Sequence, residues 1–252
     1  MTGGGNWTWL LLGRVPTLVD AGTGEPGHLD AVEQALAGAR LAQVLVTHAH
    51  VDHASGAVAL ARRFDGVRFF KMLWEGRDLR WLVAWEPLTD GQVVEAGDVS
   101  LRAVHTPGHA PDHLCFWHDD SRTLFAGDLV VKGATVYIPT DLQGDLADYL
   151  ASLERVRALH PARLHPAHGP VIDDPEAVLR GYIEHRRERE RQILTALSEG
   201  ERTADELVAL IYPNLLPHLF QFARETVLAH LVKLAREERV GRRRDAWHMI
   251  GP

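Results

Sequence analysis

The chain has 252 residues, with 27 Lys or Arg against 34 Asp or Glu and a formal charge of −7. That length suits one large α/β unit or a large domain with a small one, and the 46% hydrophobic and 24% charged content is ordinary for a soluble globular protein. No apolar run nears bilayer-spanning length, the single Cys115 excludes a disulfide framework or a cysteine metal cluster, and the acidic total gives no general case for nucleic acid.

In chain order, the opening MTGGGNWTWLLLG lacks a basic stretch followed by a long apolar core, so no signal peptide is read and the expected compartment is the cytoplasm, away from membranes. Short β-like runs follow at Leu10 to Leu12, Thr17 to Val19, Val44 to Val46, Val67 to Phe70, Val99 to Val104, Leu114 to Trp117, Thr123 to Phe125 and Val136 to Ile138. Helical patterns lie at Gly27 to Ala37, at Ser55 to Phe64 and at Asp145 to Leu159, where Leu146, Leu150, Leu153, Val156 and Leu159 keep a helical period. Strands and helices alternate, but with too many hairpins for a purely parallel sheet.

The texture changes at Asp174-Pro175-Glu176, a helix start with proline at the first helical position. That helix is predicted to reach about Ser198, and its middle, Glu184 to Arg191, is almost entirely charged. Thr203-Ala204-Asp205-Glu206 matches a capping box, an amphipathic stretch with Phe222, Val227, Leu231 and Leu234 follows, and Arg239 to Ile250 alternates like a β-hairpin. This is the outline of a winged helix-turn-helix, so the expected domains are 1–180 and 181–252.

The run His48-Ala49-His50-Val51-Asp52-His53 places four metal-competent side chains within six residues, directly after an apolar strand. Imidazole and carboxylate are donors that zinc and iron favour. His48 and His50 project the same way in extended chain, while Asp52 and His53 come one turn later. Four donors on so short an arc cannot all reach one small tetrahedral ion without strain, which points to two ions side by side. Further on, Thr106-Pro107-Gly108-His109 ends a strand with a histidine that is a natural third ligand of the first ion. Asp128 ends the run Leu124-Phe125-Ala126-Gly127-Asp128, placed as a metal-bridging carboxylate would be, and Pro166-Ala167-His168-Gly169 supplies one more histidine at a strand end.

The segments THAHVDH at 47–53, TPGH at 106–109, AGD at 126–128 and PAHG at 166–169, in this order, resemble the metallo-β-lactamase superfamily over roughly Asn6 to Ile172. The resemblance implies an α/β fold, a four-layer αββα sandwich with the site at one edge. It further implies that His48, His50 and His109 hold one metal, that Asp52, His53 and His168 hold a second, and that Asp128 bridges. Asp20 matches the family's second carboxylate behind the ligands. Over most of its length the chain best resembles the lactamase-β-like protein 2 family, which joins this catalytic fold to a C-terminal winged helix. The likeness is carried by His185 to Leu194 and Thr226 to Leu234, and it implies, for animal members, cleavage of single-stranded RNA.

Expectations for function follow. Two zinc ions, with iron or manganese as alternatives, would make the chain a hydrolase using a metal-bridging hydroxide, with Asp52 able to accept the proton of that water. His113 is a candidate proton donor, weighed against a supporting structural role. The leading substrate is a phosphodiester, single-stranded RNA in the first instance, and the alternative is a small-molecule thioester or lactone. A mononuclear iron oxygenase of the persulfide type shares much of the histidine pattern and stands third. Arg224, Lys233, Arg236 and Arg242 to Arg244 are candidate phosphate contacts of the tail, against a reading in which the winged helix only packs or forms a homodimer. Trp74, Trp81 and Trp85, at roughly helical intervals, are expected to fill the core or line one wall of the cleft.

Overall fold

The computed structural model describes residues 5–251; the leader reading also covers Met1 to Gly4, which lie outside the described residues. The first sheet has the order β1 (Trp9–Leu11), β2 (Thr17–Val19), β3 (Gln43–Leu45), β4 (Arg68–Lys71) and β5 (Trp85–Pro87), with β1 antiparallel and the rest parallel. Parallel neighbours need crossovers. These are α1 (Pro26–Leu36) between β2 and β3, and α2 (Val51–Ala54) with α3 (Ala57–Arg63) between β3 and β4. The second sheet has the spatial order β10 (Arg163–Pro166), β9 (Thr123–Gly127), β8 (Leu114–His118), β7 (Val99–His105) and β6 (Val93–Ala96). It is antiparallel except for β9 beside β10, whose crossover contains α4 (Leu146–Ala158).

The period-two alternation of strands explains the layers. On β3 and the residue after it, Val44 and Val46 join Val32, Leu36 and Leu60 under the first helical layer, whereas Leu45 meets Leu101, Leu114 and Phe116 between the sheets. On the far side, Val104, Cys115, Trp117 and Leu124 pack beneath Leu146, Tyr149, Leu153 and Val156 of α4. The result is the expected αββα sandwich. Among the described residues no helix is long and apolar enough to cross a membrane.

The C-terminal unit comprises α5 (Pro175–Ser198), β11 (Arg202–Thr203), α6 (Ala204–Ile211), α7 (Phe220–Arg236) and a small sheet completed by β12 (Val240–Arg243) and β13 (Ala246–Met249). Thr203 and Glu206 close the capping box at the start of α6. The expected boundary at 180 falls inside α5. Leu179, Tyr182 and Ile183 belong to the core of the sandwich, and Ile193, Ala196 and Leu197 to the core of the winged helix, so one continuous helix serves two cores.

Two local expectations change. Residues 136–138 are not a strand: Arg186 donates to Val136 O and His109 Nδ1 lies 2.7 Å from Tyr137 O, so these carbonyls are met by side chains rather than by a ladder. The spaced tryptophans do fill cores, Trp81 and Trp85 against the first helical layer, although their interval is not that of a helix. Trp74 and Trp81 flank a single 3-10 turn and Trp85 lies on β5, while Trp74 is buried with Ala49 and Ala110.

Gly108 shows how tightly the second sheet and α4 approach at the site. Its φ is +126°, its carbonyl accepts from Asp145 N at 2.8 Å, and a Cβ there would stand 2.3 Å from the backbone of Tyr149. Gly108→Ala is expected to cost about 2–4 kcal/mol, through backbone strain plus overpacking, read as a lower urea midpoint with unchanged slope. An unaltered midpoint would contradict this packing.

Candidate metal centre

All the predicted ligands come together at one edge of the sandwich, beyond the C-terminal ends of β3, β7, β9 and β10. His48 Nε2 and His109 Nε2 lie 3.0 and 2.9 Å from His50 Nδ1, so three ring nitrogens converge. Beside them, Asp52, His53 and His168 form a second group, with His168 Nε2 3.3 Å from Asp52 Oδ2. Asp128 stands between: Oδ1 is 3.5 Å from His53 Nε2 and 3.3 Å from His168 Nε2, and Oδ2 is 3.5 Å from His109 Nε2. Ligand atoms about 2.0–2.1 Å from a tetrahedral ion are about 3.3 Å apart, so these separations fit two ions sharing a carboxylate. The buried atoms His53 Nε2, His168 Nε2 and Asp128 Oδ1 have no hydrogen-bond partner, and a cation would satisfy each of them.

The opposite nitrogen of most rings is held by the fold. His53 Nδ1 donates to Asp20 Oδ2 at 2.9 Å, His48 Nδ1 to Thr47 Oγ1 at 3.0 Å, His109 Nδ1 to Tyr137 O and His168 Nδ1 to Gly5 O. Such partners fix the tautomer that leaves the other nitrogen free to ligate. Asp20 is 2% exposed and also accepts from Thr47 N at 2.8 Å and Thr47 Oγ1 at 2.9 Å. It does so from φ 64°, a left-handed conformation that Asp tolerates better than most residues.

A family model described as the metallo-beta-lactamase superfamily matches residues 1–168, and a second, the beta-lactamase associated winged helix domain, matches 203–247. The chain belongs to the metallo-β-lactamase superfamily. A beta-lactamase-like protein 2 homolog of Caenorhabditis elegans is 34% identical over 219 residues, covering 83% of this chain and 72% of that protein. A protein of Aspergillus chevalieri named atrochrysone carboxyl ACP thioesterase is 32% identical over 240 residues, covering 90% of this chain and 74% of its own. A crystal structure of a beta-lactamase domain protein from Burkholderia ambifaria matches with TM-score 0.85 over 97% of this chain and 87% of that one, at 23% identity, and so shows the shared fold.

Within this metallo-β-lactamase site, His113 is not brought to the cleft. It is fully buried, accepts from Asp128 N at 3.0 Å through Nε2, and sits 2.8 Å from Thr106 Oγ1 through Nδ1. With both nitrogens engaged it positions Asp128 and is no proton donor to a leaving group, which corrects the catalytic expectation. His165 packs edge-on to Trp9 at 4.4 Å, as a structural residue would.

Three contributors went unread in the sequence. Lys71, fully buried, lies 2.9 Å from Asp112 Oδ2, and the same oxygen accepts from Ala49 N at 2.9 Å, so an ion pair holds the backbone between His48 and His50. The signal was a lysine ending the apolar strand Phe69-Phe70-Lys71. Arg77 lines the cleft from an irregular loop that carries no motif. Residues 131–139 form a strap along the opposite wall. Tyr182 pins it by accepting from Val131 N at 3.0 Å and lying 2.8 Å from the carbonyls of Val131 and Ala134. Arg186, 1% exposed, donates to Val136 O.

The two clusters differ in proton affinity. Burial, then mutual repulsion among the rings, holds His48 well below its usual value and brings His50 to about 3, and burial lowers His109 as well. Burial also opposes charge on His53 and His168, but Asp20 and Asp128 for the first, and Asp52 and Asp128 for the second, outweigh it and raise both. A raised value means a proton held more tightly, which must leave before the ring ligates, so affinity at the second cluster increases with pH. Calorimetric zinc titration in buffers of different ionisation enthalpy should show fewer protons released by the first equivalent than by the second. In Asp20→Asn the second release should shrink and the second affinity fall about 10–100-fold. Equal release by both equivalents would contradict the assignment.

Proposed function

We propose that this chain is a metal-dependent hydrolase of acyl thioesters or related esters, with two ions, zinc in the first instance, held by His48, His50, His109, Asp52, His53, His168 and the shared Asp128. The observation that carries this reading is the cleft over the two clusters. Its volume is about 610 Å³, and Val131, Ala134, Val136, Tyr137, Pro139 and Leu142 give it an apolar wall. That is the size and character of a site for a small organic group.

When bound, the ions supply Lewis acidity toward a carbonyl and acidify water, the chemistry that hydrolysis requires. The chain supplies the rest. Burial opposes ionisation of Asp52, but the contacts with His168 and His53 outweigh it and lower its pKa, so it faces the cleft as an ionised carboxylate. Its backbone carbonyl accepts from Asn6 Nδ2, which holds the ligand turn. No imidazole other than the ligand rings lines the cleft among the described residues. A thiolate, with a parent pKa of about 8.5, departs without a general acid far more readily than an alkoxide, so this cleft suits a thioester.

RNA cleavage, the leading expectation from the sequence, finds less support. Arg224 lies 2.8 Å from Asp205, Lys233 2.6 Å from Glu190, Arg243 3.4 Å from Glu201 and Arg242 3.8 Å from Asp245, while Arg236 is paired with Asp145. Of the six expected phosphate contacts, five are thus matched to carboxylates, and the tail's proposed role is packing. The complete second cluster also favours hydrolysis over mononuclear iron oxygenation. The name of the Aspergillus relative agrees with the thioester reading.

A panel of acyl thioesters, lactones and single-stranded RNA tests it. Zinc-loaded protein is expected to turn over thioesters with kcat/KM at least about a thousandfold above that for RNA, the margin that separates a specific from an incidental substrate. Asp128→Asn should lose about 100-fold or more of that turnover. Asp128-dependent cleavage of RNA with inert thioesters would reverse the proposal.

A further inference from the structure

The cleft carries one Lys or Arg among its described lining residues, Arg77, and that side chain has been left without a carboxylate. Its Nε is buried with no hydrogen-bond partner, none of the ion pairs among the described residues includes it, and the acidic group whose field it feels, Asp112, is engaged by Lys71 at 2.9 Å. The placement is built rather than incidental. The guanidinium lies 5.2 Å from the ring of Trp74, which is 9% exposed and packs on Ala49 and Ala110 behind the metal loop. Arg77 N donates to Trp74 O at 3.0 Å, and Asp78 Oδ2 accepts from Trp74 N at 2.6 Å. The other oxygen of Asp78 is 2.7 Å from Lys71 Nζ, which also meets Asp112 at 2.9 Å. One ion-pair triad, Asp78-Lys71-Asp112, centred on the buried Lys71, therefore fixes both the turn that bears Arg77 and the backbone of Ala49.

A partly desolvated guanidinium with an unmet donor is costly unless something pairs with it, and its planar fork matches carboxylate and phosphate oxygens two at a time. Asp52 and Asp128, the acidic groups in the same cleft, face the imidazole clusters. The strap presents an apolar wall, so an anion on the substrate has one cationic partner besides the metal centre.

We propose that Arg77 anchors an anionic group of the substrate, so that the preferred substrate is an acyl thioester bearing either a carboxylate on its acyl chain or a phosphate on its thiol arm. This rests on the thioester reading above. The test uses zinc-loaded protein and two matched pairs. Glutaryl and pentanoyl thioesters of N-acetylcysteamine differ only in an acyl carboxylate, and pentanoyl thioesters of 4′-phosphopantetheine and pantetheine differ only in a phosphate. In at least one pair the wild type should prefer the anionic member at least about tenfold in kcat/KM, equivalent to one charge-assisted pair. Arg77→Ala should bring that ratio close to one, Arg77→Lys should keep part of it, and Arg77→Glu should invert it, with circular dichroism confirming that each variant is folded. The pair that responds identifies where the anion lies. Equal losses on both members of both pairs overturn the proposal.

Should the wild type turn over none of the four, the thioester reading fails by itself, and the anchor is then read by binding. Glutarate and 4′-phosphopantetheine are titrated against tryptophan fluorescence, with Trp74→Phe identifying the signal from the ring beneath the guanidinium. A response in the wild type that is lost in Arg77→Ala sustains the anchor. No response in the wild type, or the same response in Arg77→Ala, overturns it.

Discussion

Two buried carboxylates hold the metal loop from opposite sides, and the site depends on both. Asp20, from the end of β2 in the first sheet, takes Thr47 N, Thr47 Oγ1 and His53 Nδ1. Asp112, from the turn before β8 in the second sheet, takes Ala49 N and the buried Lys71. Residues 47–53 are thus fixed to both sheets, and the His53 ring cannot rotate without breaking its charge-assisted hydrogen bond to Asp20 in a region of low dielectric. Burial of this much polarity is tolerable only because every carboxylate here has an imidazole, an ammonium or a backbone N–H to face.

The same logic extends to the far wall. The strap at 131–139 has no ladder of its own, so the residues that satisfy its backbone decide its position: Tyr182 and Arg186 of α5 and His109 at the centre. Tyr137 also meets Phe222 of α7 edge-on at 5.9 Å, and Glu225 lies 3.4 Å from Thr140. The C-terminal unit therefore supports the cleft wall through contacts that end on a ligand histidine. This gives the winged helix a structural part in the site whatever else it binds.

The candidate ligands were legible because their motifs follow strand ends in the order of the metallo-β-lactamase resemblance, whereas the groups that hold the rings, Asp20 and the carbonyls of Tyr137 and Gly5, are distant in the chain. The layers were legible for a similar reason, since alternation on β3 and a helical period on α4 sort residues by face. His113 was not separable by sequence, because its role depends on which nitrogen meets Asp128 N, a contact fifteen residues away. Arg77, Lys71 and the strap were hidden for a related reason. Lys71 meets Asp112 forty-one residues on, Arg77 sits on an irregular loop that carries no motif, and the β-like composition of Val136 to Ile138 reads as a strand until Arg186 and His109 claim its carbonyls. The helix expected from Pro175 to about Ser198 is present, and it crosses the boundary at 180 because its apolar residues face one core in its first turns and another in its last.

The central claim is that two clusters sharing Asp128 hold two ions. Anomalous diffraction at the zinc edge from crystals grown with excess zinc measures this directly. Two peaks about 3.5–4 Å apart with Asp128 between them are expected. A single peak among His48, His50 and His109, with Asp52, His53 and His168 turned away from any metal, would contradict it.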